Sequence, residues 1–75
     1  MSRMPTIKAS ELVRFLKVKG FEENRQRGSH LSLWHSINKI GVTVPLLSGT
    51  DLGRGITKRI LKDAGFTQED YINWR

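Results

Sequence analysis

The chain has 75 residues, no cysteine and a formal net charge of +6, from 13 Lys and Arg against seven Asp and Glu. This length predicts a single domain over residues 1–75 with a thin core, and the absence of cysteine excludes a disulfide scaffold and a thiolate metal site. The positive charge favours a polyanionic partner, above all a nucleic acid, over a membrane surface, although an acidic protein would also satisfy it.

The first predicted element is a helix that begins at Ser10 and ends before Gly20. Ser10 supplies a hydroxyl that caps free N–H groups, and Glu11 supplies an acid favoured by the helix dipole. Helical spacing forms one apolar stripe from Leu12, Phe15 and Leu16. Gly20 is typical of the residue that comes after a helix, with Phe21 placed to pack back on it.

Three strands are predicted over residues 21–47. The polar segment Phe21–Arg27 is predicted as a strand mainly because a clear strand pattern comes directly after it. In that second strand Leu31 and Leu33 alternate with His30, Ser32 and Trp34, and His35–Lys39 is a candidate turn. The third strand alternates Ile40, Val42 and Val44 with smaller residues and ends at Pro45. Short links between consecutive strands favour an antiparallel meander.

A loop over Leu47–Asp51 and a second helix from Leu52 or Arg54 to Ala64 are predicted next. The helical wheel places on one side the apolar residues Ile56, Ile60, Leu61 and Ala64. On the other side it places Lys58, Arg59 and Lys62. Gly65 ends this helix, and Thr67 with Asp70 forms a capping box that starts a short last helix.

The predicted order is therefore α-β-β-β-α, with both long helices on one face of a three-stranded antiparallel sheet. This is a two-layer α+β domain, and its order is that of the double-stranded-RNA-binding fold.

The residues narrow this assignment to a family. Gly28-Ser29-His30 comes after an Arg-rich first strand, Val44-Pro45 ends the third strand, and Gly55 opens a basic helix. That helix carries Ile60-Leu61 and ends in Ala64-Gly65. In this order and spacing, over about residues 7–72, the chain resembles the HicA toxins of bacterial toxin–antitoxin pairs. One departure is Leu46-Leu47, where family members often carry a histidine.

The resemblance implies an endoribonuclease that cleaves messenger RNA without a metal or another cofactor, with His30 as its catalytic residue. It also implies a cognate HicB-like antitoxin that blocks the toxin. We expect the toxin alone to be a monomer and its complex with the antitoxin to be a higher hetero-oligomer.

The chemistry of these residue types agrees with that role. An imidazole is largely neutral near pH 7 and can remove the proton of a ribose 2′-hydroxyl. Gly28 permits close approach of the backbone to a phosphate, and Ser29 offers a hydroxyl donor. The side chains of Arg25 and Arg27 can neutralise phosphate oxygens. On the pattern alone, however, an ordinary exposed strand histidine is the commoner interpretation of His30.

Other candidate residues have alternative interpretations. Arg54, Lys58 and Arg59 are candidates for phosphate contacts, but a cationic helix face also keeps a small protein soluble. Trp34, on the face of His30, is a candidate for stacking on bases, whereas we expect Trp74 to pack against the core. His35 shares its face with Leu31 and Leu33, which favours a partly buried or turn histidine. Two histidines five residues apart with no third ligand do not indicate zinc.

Two other functions are compatible with the sequence. One is a non-catalytic double-stranded-RNA-binding module of the same fold, and the other is a protein-interaction domain for an acidic partner. We expect a soluble cytoplasmic protein with no membrane partner. No apolar run approaches the roughly 20 residues of a membrane-spanning helix, and the first residues lack the apolar stretch of a signal peptide.

Overall fold

The computed structural model describes residues 4–46 and 51–75, and it has the predicted α+β architecture. Its elements are β1 (Ile7–Lys8), α1 (Ala9–Val18), β2 (Glu22–Arg27), β3 (His30–His35), β4 (Ile40–Pro45), β5 (Asp51–Leu52), α2 (Arg54–Asp63) and α3 (Gln68–Trp74).

The main sheet is an antiparallel meander in the order β2-β3-β4, as predicted. One of its faces, here called the inner face, meets the helices and buries Leu31, Leu33, Val42 and Val44. The alternate residues point the other way because side chains along a strand alternate between faces. On this outer face, His30, Trp34 and Thr43 are exposed. The meander therefore presents one open face to solvent.

A second, two-stranded sheet pairs β1 with β5, and Ile7 lies opposite Leu52. This corrects two predictions: Asp51 belongs to a strand and not to a loop, and Leu52 does not start the second helix. Residues 47–50 of the predicted loop lie outside the described residues. Ile7 and Leu52 are both buried, so the small sheet contributes to the core.

The ends of both long helices are set by their glycines. The N–H of Phe21 donates to the carbonyl of Leu16 and that of Gly20 to Lys17, with Gly20 at φ +104°. This double bond pattern is the Schellman motif, which needs a left-handed residue after the helix. Gly65, at φ +90°, repeats it after α2. The predicted helix ends are confirmed.

The starts of the helices agree less well with the prediction. The residue that caps α1 is Lys8, and the Glu11 carboxylate accepts its backbone N–H at 3.4 Å. Ser10 therefore lies in the first turn and does not cap the helix. The capping box of α3 is confirmed, because the Asp70 carboxylate accepts the Thr67 N–H at 2.8 Å.

One predicted core position of α2 is wrong. Ile56 is 46% exposed, whereas the neighbouring Thr57 is fully buried. The Thr57 hydroxyl donates to the carbonyl of Gly53 at 3.0 Å, so its burial leaves no polar atom without a partner. The other apolar residues predicted for this face, Ile60, Leu61 and Ala64, are buried.

An aromatic cluster joins α1 to α3. The ring of Phe15 lies edge-on against Phe66, Tyr71 and Trp74, with centroids 5.1, 5.3 and 5.4 Å away. Trp74 thus packs on the core, as expected. Burial and the nearby Glu11 carboxylate, which accepts the Tyr71 hydroxyl at 3.5 Å, raise the pKa of Tyr71 above its ordinary value.

Gly20 and Gly65, the glycines that end the two long helices, provide a matched test of packing. A Cβ on Gly20 would stand 2.7 Å from Nε2 of His35, whereas one on Gly65 would meet only Ile40 at 4.0 Å. Gly65→Ala should cost about 1–2 kcal/mol of unfolding free energy for its left-handed backbone. Gly20→Ala should cost roughly 1–3 kcal/mol more, because the methyl group displaces the imidazole. Urea unfolding measures both losses. Equal losses would show that the His35 ring moves aside without a cost in unfolding free energy.

Candidate functional site

A two-residue hairpin turn sets the geometry at the His30 end of β3. Gly28 and Ser29 join β2 to β3, and Gly28 has φ +59°. A two-residue loop whose first residue has a positive φ matches the twist of its strands, and glycine adopts that conformation without strain. The turn pairs Arg27 directly with His30. The hairpin alone therefore explains the glycine of the Gly-Ser-His motif.

A β-bulge determines which charges share the face of His30. Glu23 lies opposite Leu33 and Arg25 opposite Ser32, so Asn24 is an extra residue in β2. Uninterrupted alternation would place Glu23 beside Arg25 on the outer face. The bulge instead turns Glu23 toward the helices, where its carboxylate pairs with the Lys17 ammonium. Glu22, which pairs with Trp34, takes that place on the outer face instead, so the bulge decides which acid lies beyond Arg25.

These residues form a shallow depression of about 270 Å³, lined by Arg25, Arg27, His30 and Ser32. We call it the cationic depression. It brings together three of the residues predicted from the sequence. Ser32 was not predicted as a site residue, although its position two residues after His30 places it on the same face. The depression offers two guanidinium groups, an imidazole and a hydroxyl to one anionic ligand.

The chain that leaves β4 passes beside the same turn. Pro45 lies opposite His30, and the N–H of Leu46 donates to the carbonyl of Ser29. Leu46 itself is half-buried against the core. A histidine just after the Val-Pro would therefore lie close to His30. In this chain Leu46, the first residue after the Val-Pro, contributes to packing instead.

A family model described as the HicA toxin of bacterial toxin–antitoxin matches residues 9–66. The chain belongs to the HicA toxin family. It is therefore a toxin of a toxin–antitoxin system, and the match includes the whole meander, the cationic depression and α2. A search of curated protein sequences gives no match.

The basic residues of α2 do not line the cationic depression. The Nε of Arg54 donates to the carbonyl of Met4 at 2.8 Å, which ties Arg54 to the N-terminal segment. Lys58 is exposed on the helix layer. Arg59 lines a separate groove beside β4, together with Thr43, Pro45 and Ile56. Of the three predicted α2 contacts, only Arg59 reaches the flank of the sheet.

The remaining predicted residues also have defined places. Ser29 is exposed in the turn and does not line the depression, and Trp34 lies on the outer face at the other end of β3. His35 is half-buried as expected: its Nδ1 accepts the N–H of Asn38 at 3.1 Å, and its ring packs edge-on against Phe21. This contact fixes the hairpin end and leaves His35 on the inner face.

The described part of the chain holds neither a metal cluster nor a membrane span. Among residues 4–46 and 51–75, no three His, Asp or Glu side chains lie close enough together to hold a metal ion. No described helix has the length and apolar character needed to span a bilayer.

Proposed function

We propose that this toxin is a metal-independent endoribonuclease that cleaves messenger RNA with His30 as general base. The observation that carries the proposal is the placement of His30 directly opposite Arg27, with Arg25 and Ser32 in the same open depression. Two guanidinium groups beside one imidazole suit a phosphodiester flanked by a 2′-hydroxyl.

In this mechanism the neutral imidazole of His30 accepts the proton of a ribose 2′-hydroxyl. The 2′-oxygen attacks the adjacent phosphorus, and the bond from phosphorus to the 5′-oxygen breaks. Arg25 and Arg27 neutralise the non-bridging oxygens as negative charge grows on them. The products are a 2′,3′-cyclic phosphate and a 5′-hydroxyl. The other described residues lining the depression are two arginines and a serine, and in this mechanism a water molecule supplies the proton to the leaving oxygen.

The first test compares the two histidines of the chain. His30→Ala should lower the cleavage rate about 100- to 10,000-fold, because the base is lost. Its stability should stay within roughly 0.5 kcal/mol of the parent, because His30 is exposed. EDTA should leave the parent active. The measurements are cleavage of a labelled RNA and thermal melts followed by circular dichroism.

His35→Ala is the matched control. It removes the acceptor of the Asn38 N–H and the ring contact with Phe21, so it should cost about 1–3 kcal/mol of stability. The rate per folded molecule should be retained. A folded His30→Ala variant that cuts RNA at the parental rate would refute His30 as the base, whereas a parent that binds RNA without cutting it would favour a non-catalytic RNA-binding module.

The second test uses the salt dependence of RNA affinity to locate the bound RNA strand on the protein. Each phosphate contact to a single strand contributes about 0.7 to the slope of log affinity against log salt. Arg25→Ala with Arg27→Ala should therefore flatten the slope by about 1.4 units. Lys58→Ala with Lys62→Ala removes the same charge from the helix layer and should flatten it clearly less. The probe is a 2′-deoxy strand, which cannot be cleaved. Greater flattening by the α2 pair would place the RNA along α2 and contradict this arrangement.

The third test concerns the antitoxin. We propose that the cognate HicB-like protein covers the cationic depression with acidic side chains, because complementary charge speeds and orients association. The antitoxin and the 2′-deoxy strand should then compete for the toxin, and Arg25→Glu with Arg27→Glu should weaken both complexes. Light scattering should show a monomeric free toxin and a larger hetero-oligomer with the antitoxin. Simultaneous binding of the antitoxin and the strand would contradict this arrangement.

A further inference from the structure

Among residues 4–46 and 51–75, several large apolar side chains are exposed to solvent, and Trp34 is the only aromatic one. Its exposed fraction is 40%, while the other members of that group are the aliphatic residues Val18, Ile37 and Ile56. Trp34 lies on the outer face because it shares strand parity with His30. Its partner across β2 is Glu22, so the indole lies beyond the arginines of the outer face, where it is open to a ligand with its own flat apolar surface.

The neighbouring strand leaves room for this ring. Gly41 pairs with Trp34 across β3 and β4, and a Cβ on Gly41 would stand 3.3 Å from Cε3 and 3.6 Å from Cζ3 of the indole. A larger residue at 41 would push the indole away from β4. The absence of a side chain therefore lets the six-membered ring lean over the strand while the remainder of Trp34 faces solvent.

The same row of side chains leads from Trp34 to the catalytic histidine. Along β3, Ser32 lies between Trp34 and His30, and Thr43 lies opposite Ser32. Four strand residues span roughly 13 Å. A base stacked on Trp34 therefore belongs to a neighbouring nucleotide and not to the one whose 2′-hydroxyl is activated. The two hydroxyl groups lie between the ends and can bind the intervening sugar and phosphate.

We propose that Trp34 and Gly41 form a base-stacking subsite, which makes single-stranded RNA the substrate of the His30 centre. This inference rests on the ribonuclease function proposed above. A base can lie on the indole only if it is unstacked and unpaired, and such bases occur in single strands and loops. A continuous duplex keeps its bases stacked on one another and cannot offer one to Trp34. The order of the elements is that of a duplex-binding domain, but the outer face selects a single strand.

The test uses fluorescence in a Trp74→Phe background. The chain has two tryptophans, so this variant leaves Trp34 as the only indole reporter and keeps an aromatic ring against Phe15. A 2′-deoxy single strand should quench the Trp34 emission, and the same strand annealed to its complement should not. In the parent chain, Trp34→Leu should weaken binding of the single strand about 5- to 150-fold. Trp34→Phe should retain most of the affinity.

Trp34→Leu separates stacking from a packing role, because leucine still covers Gly41 with apolar atoms but has no aromatic face. Thermal melts of Trp34→Leu and Trp34→Phe check that both variants are folded. Equal affinity of the parent and the folded Trp34→Leu variant would overturn the subsite, as would equal quenching by single strand and duplex. Ile37→Ala, at an apolar residue that is 83% exposed in the turn after β3, is the matched control and should bind the 2′-deoxy strand as the parent does. Because this strand cannot be cleaved, failure of the stacking arm is distinct from failure of the ribonuclease mechanism.

Discussion

The two-residue turn at Gly28 and Ser29 fixes the register on which the rest of the outer face depends. A slip of one residue between paired strands would exchange the faces of every side chain beyond it. With Arg27 held opposite His30, Leu31 and Leu33 must point to the helices and His30 must point to solvent. The same register therefore builds the core and the site at once. A chain this small cannot lose one without losing the other.

The thin core also explains why the site is an open surface. The apolar side chains of α1, α2 and α3 are used to cover the inner face and to form the cluster around Phe15. The structure describes no further helix that could cover the outer face, and its charged residues need no cover. Recognition on such a face depends on charge and on flat aromatic contact, since the depression is too shallow to enclose a nucleotide.

Several features of the fold can be predicted from the sequence because each has a local cause. The glycines at 20 and 65 supply a backbone conformation that other residues adopt with strain, and Thr67 with Asp70 satisfies free N–H groups at a helix start. The alternation in β3 places His30 on the same side as Trp34. The segment Glu22–Arg27 has no apolar residue, and only its place before β3 predicts a strand there.

Other features depend on distant contacts and could not be predicted from local patterns. The strands β1 and β5 have two residues each, which is too short for an alternating pattern to be recognised. They pair with each other although most of the chain lies between them in sequence. The wheel of α2 places Ile56 inward, but the helix turns Thr57 to the core and leaves Ile56 beside the β4 groove. Nothing in the residue types predicts the bulge at Asn24. It turns Glu23 from the outer face to the inner face, where its carboxylate pairs with Lys17. The bulge thus replaces Glu23 by Glu22 on the outer face, and Glu22 lies opposite Trp34, outside the depression that the two arginines line. The electrostatics of the site are a property of strand pairing, while its residue types are a property of the motif.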